Sequence, residues 1–492
     1  ISGVNGTVVK NCFFLKQNAS VSFSAAIHAT KANNSRFLSN TINSTGNFSN
    51  GIQLFTANFT NITLNTVNVT MNFSYGAVVL LSGGSNLTSN TIITSYGGSG
   101  YGINVTQSSF VILDRNNVTA GLLSGGATNY GIYLFGSSSN TVTANTILTN
   151  GTDINYGVFI STNSNRNKIS DNTIRTTGSA SGNNGIQITT TSYYNNVTGN
   201  VISTNGTSSN FGIQIGVDNN TVANNTIATN GTGSIYGIRV VSNNNTVINN
   251  RIITEGTLGD SIGIDMAVAD NNTVAWNDIR TKGATSDNYG IDIQSGNDGN
   301  NVTYNIIRTS GSAANNYGVR ITGGNNYNHV SYNNISTGGT STNHGVFIDG
   351  AGVGNRVFNN NISTSGSGAT NYGIRITGST VDLYEIVGTR ITTNGTASNY
   401  GSTFDTSANN NSLINNTITT ASIGGNNYGI YVQSTVLGTI ITGNNITTNG
   451  TSSNYGIYLF STVSNNTVNN NTITTGGSAG SNYGIYLLTT VS

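Results

Sequence analysis

A short string, repeated along the chain, sets what this sequence can fold into. A tripeptide of the form [Tyr/Phe/Asn/His]-Gly-[Ile/Val], with few departures, is centred on Gly51, Gly76, Gly102, Gly131, Gly157, Gly185, Gly212, Gly237, Gly263, Gly290, Gly318, Gly345, Gly373, Gly401, Gly429, Gly456 and Gly484, at spacings of 25–29 residues. A fixed period of that size marks a solenoid, in which each unit is too small to bury its apolar face alone. One unit, Asn129 to Ile154, reads NYGIYLFGSSSNTVTANTILTNGTDI. Its G-I-x-[I/L] segment alternates with period 2, which turns both aliphatics to one side of a strand. Its V-x-x-N-x-I segment slips that alternation by one residue, as a corner does. Three short strands per unit follow, each two to five residues long, with tight corners between them. No i, i+3, i+4 pattern supports a helical repeat.

Composition narrows the reading. Only 7% of residues are charged, against about 25% in ordinary soluble proteins. Proline is absent, yet 23 Tyr and 16 Phe accompany regular Ile and Val, which separates the chain from disordered sequences. A net charge of +1 offers no electrostatic hold on nucleic acid or anionic membrane. No apolar run reaches the ~18 residues of a membrane span. Cys12 is alone, so no disulfide framework exists.

Asparagine falls in two columns. One lies two residues before the last Ile of each unit: Asn40, Asn65, Asn90, Asn116, Asn145, Asn172, Asn200, Asn225, Asn250, Asn277, Asn305, Asn333, Asn360, then Thr389, then Asn416, Asn444 and Asn471. The other lies five residues earlier and includes Asn140, Asn167, Asn195, Asn220, Asn245, Asn272, Asn300, Asn328, Asn355, Asn411 and Asn466. Coils stacked about 4.8 Å apart would place these amides in contact, as hydrogen-bonded asparagine ladders. Asn also tolerates the left-handed conformation that a corner needs. Near Val381–Ile386 both columns lose their Asn, which predicts a local bulge.

These residues resemble the right-handed parallel β-helix repeat of pectin-degrading enzymes, phage tailspikes, surface adhesins and NosD-like periplasmic proteins, from about Val21 onward. The expected fold is all-β, a single-stranded right-handed parallel β-helix of about 18 coils and, at one strand spacing per coil, a rod of roughly 85 Å. Residues 1–24, with Asn11-Cys12-Phe13 as a degenerate corner, form an irregular first coil or junction. Residues 25–492 form one continuous helix. The resemblance is specific for fold and weak for activity. No helical cap is readable at either end, which points to further domains or to end-to-end self-association.

Eight of the sixteen acids lie between Glu255 and Asp298. Asp265 and Asp292 hold the same position one unit apart, on the expected outer face, with Arg320 next in the column. Paired carboxylates could serve as acid and nucleophile in glycoside cleavage, so Asp265, Asp292 and Arg320 are the catalytic candidates if the protein is an enzyme. The column also reads Arg239, Asp265, Asp292, Arg320, and Arg251 aligns with Asp278 and Glu255 with Lys282. Such neighbours suit cross-strand ion pairs. The polygalacturonase motifs are not intact. His28, His329 and His344 are too scattered for a metal site, and no cofactor is implied.

Sequons are dense, about thirty in all. Asn150, Asn205, Asn230, Asn394 and Asn449, each followed by Gly-Thr, fall in what reads as an exposed loop after the last strand. Asn334 and Asn361 precede the corner Ile and face outward. These seven are the expected N-glycan sites. Tyr precedes the strand glycine in most units and forms a row of stacked rings. The sequence therefore points to a non-enzymatic extracellular protein: a glycosylated β-helix rod of a microbial surface layer, stalk, adhesin or filament. The alternatives are a polysaccharide lyase, hydrolase or epimerase, and a sugar-binding adhesin using the Tyr row.

Overall fold

A computed structural model of the protein describes residues 1–16, 24–46, 49–70, 74–95, 100–121, 128–179, 182–294, 296–312, 315–350, 352–368, 370–378, 381–405, 408–433 and 435–488. Val21, the expected start of the repeat, lies outside them. The chain divides into two compact units, Ile1–Arg239 and Val240–Ser492. The same coil is built in each. Among the described residues of both, each of three strand types occurs eighteen times, short extra strands such as Gly352–Val353 and Val436–Leu437 pair in some later coils, and no helix is present.

In the first unit, the strands Asn129–Phe135, Thr141–Thr143 and Thr146–Gly151 make up one coil, and Asn155–Ser161, Lys168–Ser170 and Thr173–Gly178 the next. They pair parallel and in register: Tyr130 with Tyr156, Val142 with Ile169, Ile147 with Ile174. In the second unit, Tyr289 pairs with Tyr317, Val302 with Val330 and Ile307 with Ile335. Identical positions thus lie over one another. The inward aliphatics Ile132, Leu134, Val142 and Ile147 are fully buried. Each contributes about 1.5–3 kcal/mol relative to an exposed side chain.

The third strand is longer than the sequence suggested. From Thr146 onward it runs six residues and, where an Asn-Gly pair is present, takes it in, as in Thr146–Gly151, Val201–Gly206 and Asn445–Gly450, whereas the earlier third strands such as Thr66–Val69 and Asn117–Ala120 run four. The expected loop begins only after that glycine. Parallel pairing is the reason: Asn205 pairs with Asn230, and Gly206 with Gly231.

The repeated strand glycine has a packing cause. At Gly290, a Cβ would lie 2.2 Å from Ile307 Cγ2 and 2.6 Å from the Gly318 carbonyl oxygen. The third-strand Ile and the next coil's backbone fill the place of a side chain. Gly290→Ala is expected to cost about 1–3 kcal/mol through overpacking, read as a lower midpoint in chemical denaturation.

Both expected ladders form. Asn145 donates its side-chain amide to Asn172 Oδ1 at 2.9 Å and to the Leu113 carbonyl at 2.8 Å, and its backbone N–H also reaches Asn172 Oδ1. In the other column, Asn300 donates to Asn328, and Asn328 to Asn355. The left-handed residue of the corner, however, is the one before the ladder Asn: Ala144, Asp171, Asn224 and Asn249 all have φ between 53° and 58°. That residue turns the chain, and the Asn is left free to aim its amide along the column.

Among the described residues near 384 no bulge interrupts the pairing. Arg356, Val357 and Phe358 pair with Glu385, Ile386 and Val387 without a slip. Tyr384 takes the missing rung of one ladder, its hydroxyl accepting from Asn355 Nδ2 at 2.8 Å and its N–H donating to Asn411 Oδ1. Thr389 takes the other, between Asn360 and Asn416. At the N-terminal side, Asn11 has φ 56° and the Cys12 N–H donates to Asn40 Oδ1, so this corner joins the ladder.

A third ladder escaped the sequence reading. It is formed by the Asn two residues before the strand glycine: Asn129 to Asn155 and Asn183 in the first unit, and Asn288 through Asn316, Asn343 and Asn371 in the second. The signal was present in every N-Y-G.

Candidate functional site

The charged cluster grows directly out of the stacking. Asp265 lies in Ser261–Met266, Asp292 in Asn288–Ile293 and Arg320 in Asn316–Thr322. Asp265 pairs with Asp292, and Asp292 with Arg320. The alignment is as expected, but the exposure is not. Both carboxylates are fully buried, at 0%, rather than open on an outer face.

Their neighbours explain this. Arg320 clamps Asp292 with two bonds, Nε to Oδ1 and Nη2 to Oδ2, each 2.7 Å. Its guanidinium lies 4.0 Å from the centre of the Tyr289 ring, and Nη1 donates to the Tyr289 hydroxyl at 2.9 Å. That hydroxyl donates in turn to Asp287. Gln294 Nε2 donates to Asp265 Oδ1 at 2.7 Å and contacts Asp292 Oδ2 at 3.3 Å. Burial pushes the Asp292 carboxyl above its ordinary value, and Arg320 opposes that shift. Hydrogen bonds and charge from Asp292 hold Arg320 protonated against its own burial.

The cluster is poorly arranged for glycoside cleavage. A retaining pair needs a sugar between two carboxylates about 5–5.5 Å apart. Here one amide nitrogen reaches both carboxylates, and Arg320 holds both oxygens of Asp292. A similar arrangement recurs at Arg375, which binds the buried Asp405 at 2.9 Å and lies 5.0 Å from the Tyr372 ring centre. Asp405 follows the strand rather than standing in the column, so alignment did not reveal it.

The other expected pairs come out differently. Asp278 bonds Arg308 at 2.6 Å, on the diagonal, rather than Arg251. Glu255 and Lys282 stand opposite each other in register, but among the described residues they form no ion pair.

The Tyr row stacks as expected. Ring centres are 4.7 Å apart for Tyr101–Tyr130, 4.8 Å for Tyr372–Tyr400 and 4.6 Å for Tyr400–Tyr428, with interplanar angles of 7–15°. Such stacking turns ring faces toward one another and away from a ligand. His344 takes a Tyr position between Tyr317 and Tyr372, at 4.5 and 4.7 Å. It is fully buried, with neither ring nitrogen hydrogen-bonded. Burial, with the Arg375 charge adding, holds the imidazole well below its ordinary value. Below about pH 6.5 the unfolded chain binds a proton that the folded chain refuses. Stability is therefore expected to fall as pH drops through that range. His344→Tyr is expected to remove up to about 1.4 kcal/mol per pH unit of that slope, read from unfolding curves of both proteins between pH 7 and 5.

All seven candidate glycan sites, Asn150, Asn205, Asn230, Asn334, Asn361, Asn394 and Asn449, are exposed. The five Asn-Gly-Thr sites lie on the third strand rather than in a loop. Asn361 Nδ2 donates to Asn334 Oδ1 at 3.2 Å.

Stacked parallel coils with three sheets and laddered corners define a β-solenoid. Residues 50–226 match the family described as right handed beta helix region, and the chain is a right-handed parallel β-helix, as its resemblance implied. A chain of the cryo-EM structure of the Vag8–C1 inhibitor complex is similar over 99% of its own length and 99% of this chain, at 12% identity and a TM-score of 0.36. At those values it bears on no question of function. No curated protein matches the chain.

Proposed function

We propose that this is a non-enzymatic extracellular structural protein, a glycosylated β-helical element of a microbial surface layer, stalk, adhesin or filament. The observation that carries this reading is the burial of Asp265 and Asp292, with both oxygens of Asp292 held by Arg320. The most enzyme-like residues in the sequence act as a clamp between coils. The exposed sequons support a glycan stripe. Asn205 and Asn230 pair directly, about 4.8 Å apart, too close for two glycans to pack independently.

The test is an assay of the glycosylated protein for release of reducing or unsaturated ends from acidic and neutral polysaccharides. No product is expected. Cleavage that Asp265→Asn and Asp292→Asn abolish, with the fold intact, would overturn the reading in favour of a carbohydrate-active enzyme. Mass mapping of glycopeptides checks the stripe, with modification expected at one or more of the seven sites.

A further inference from the structure

The left-handed corner before the third strand carries an anomaly in three successive coils. Most coils place small, polar or glycine residues there, such as Asn249, Asn359, Gly388 and Asn415. Between Asn249 and Asn359 the corner residues are Trp276, Tyr304 and Tyr332, at φ 59°, 56° and 55°. A bulky side chain at positive φ is unfavourable, and these three are not compensated by burial. They are 57%, 40% and 44% exposed. The rings form one stack: Trp276 on Tyr304 at 4.2 Å and 3°, Tyr304 on Tyr332 at 4.9 Å and 10°. Tyr332 then meets the edge of Phe358 at 5.5 Å. One end of the stack is thereby closed. At the other end the column continues into Asn249, and among the described residues no ring lies on the second face of the indole.

The neighbouring strands add charge. Two residues beyond the Trp276 corner begins a groove of about 270 Å³ lined by Arg251, Ile252, Ile253, Asp278, Arg280 and Arg308. Asp278 is engaged by Arg308. Arg251 and Arg280 are exposed and, among the described residues, have no ion-pair partner. A planar apolar face beside a surplus of guanidinium charge suits a ligand that carries both a flat ring face and acid groups. The ring offers an apolar C–H face to the indole, and the acid groups, planar or tetrahedral, suit the arginines.

We propose that Trp276, with Arg251 and Arg280, forms a binding site for an acidic oligosaccharide. One pyranose ring stacks on the free indole face, and its acidic groups lie along the groove. This site is separate from the Asp265–Asp292–Arg320 cluster and from the Tyr row. It goes beyond the structural role proposed above and does not depend on that role.

Trp276 is the single tryptophan of the chain, so its fluorescence reports this site alone. The protein is titrated with a galacturonate hexamer and a heparin-derived hexasaccharide, with cellohexaose as the neutral control. A saturable fluorescence change is expected with at least one acidic oligomer, at an affinity about tenfold or more above cellohexaose, weakening as salt screens the arginines. By calorimetry, Trp276→Asn, which restores the residue used at corners 249 and 359, is expected to abolish binding with an unchanged melting profile. Arg251→Gln combined with Arg280→Gln is expected to weaken it by about tenfold. No response to either acidic oligomer, equal binding of cellohexaose, or binding retained by Trp276→Asn would each overturn the assignment. Cleavage products in the same mixtures would count against the non-enzymatic reading and leave this one standing.

Discussion

Asn305→Ala is expected to destabilise the protein by about 3–5 kcal/mol, although it removes only one small amide. Asn305 Oδ1 accepts from both the backbone N–H and the side-chain amide of Asn277, at 2.9 and 3.0 Å. Its own amide donates to the Val274 carbonyl at 2.9 Å and to Asn333 Oδ1 at 3.0 Å. The site is fully buried, so no water replaces what is lost. Each buried polar group left unmatched costs about 1–3 kcal/mol; the Asn277 N–H loses its acceptor, and Asn277 Nδ2, the Val274 carbonyl and Asn333 Oδ1 each lose one partner. The control is Asn334→Ala, the residue after the next rung, Asn333, and on the exposed side, expected to change stability by less than about 0.5 kcal/mol. Denaturant unfolding of the two variants checks the contrast, and similar midpoints would show that the ladder contributes little.

Arg320→Met is expected to cost a similar amount, about 3–5 kcal/mol at neutral pH, because it leaves Asp292 buried without its counter-charge. The sign of the pH dependence follows from the carboxyl, whose folded-state value lies above the ordinary one. Once the carboxylate is protonated in both states the penalty disappears, so the loss is full at neutral pH. It shrinks as the pH falls toward about 4. Arg320→Met combined with Asp292→Asn is expected to recover most of the stability, since it removes the uncompensated charge. A double variant no better than Arg320→Met alone would mean that the arginine acts through packing on Tyr289 rather than through charge.

What could be read from the sequence was whatever repeats. Equal letters at equal intervals gave the coil, the register and two ladders, because stacking turns periodicity into contact. Non-repeating features were harder. Tyr384 belongs to no Asn column by letter, yet its hydroxyl reaches the rung through a longer side chain. Asp405 lies outside the strand column, so its bond to Arg375 could not be seen by alignment. The burial of Asp265 and Asp292 was missed because alternation gives the direction of a side chain but not what covers it. Gln294 bonds both carboxylates and Arg320, backed by Tyr289, closes on Asp292; a lone Gln attracts no notice in a chain so rich in polar residues. Trp276 was hidden for the opposite reason: the corner before each ladder Asn had not been recognised as the left-handed position, so an indole there did not stand out.

The glycine at the head of each coil has one more implication. Its surroundings are supplied entirely by the coil it begins and the next one: at Gly429 a Cβ would meet Ile446 and the carbonyl of Gly456, and at Gly456, Ile473 and the carbonyl of Gly484. Deleting residues 429–455 would join Tyr428 to Gly456 and return every row to its place, one storey shorter. Within Val240–Ser492, such a coil without a cluster of its own is open to loss or gain as a whole repeat, because the glycine row it interrupts closes again with the same kind of neighbours.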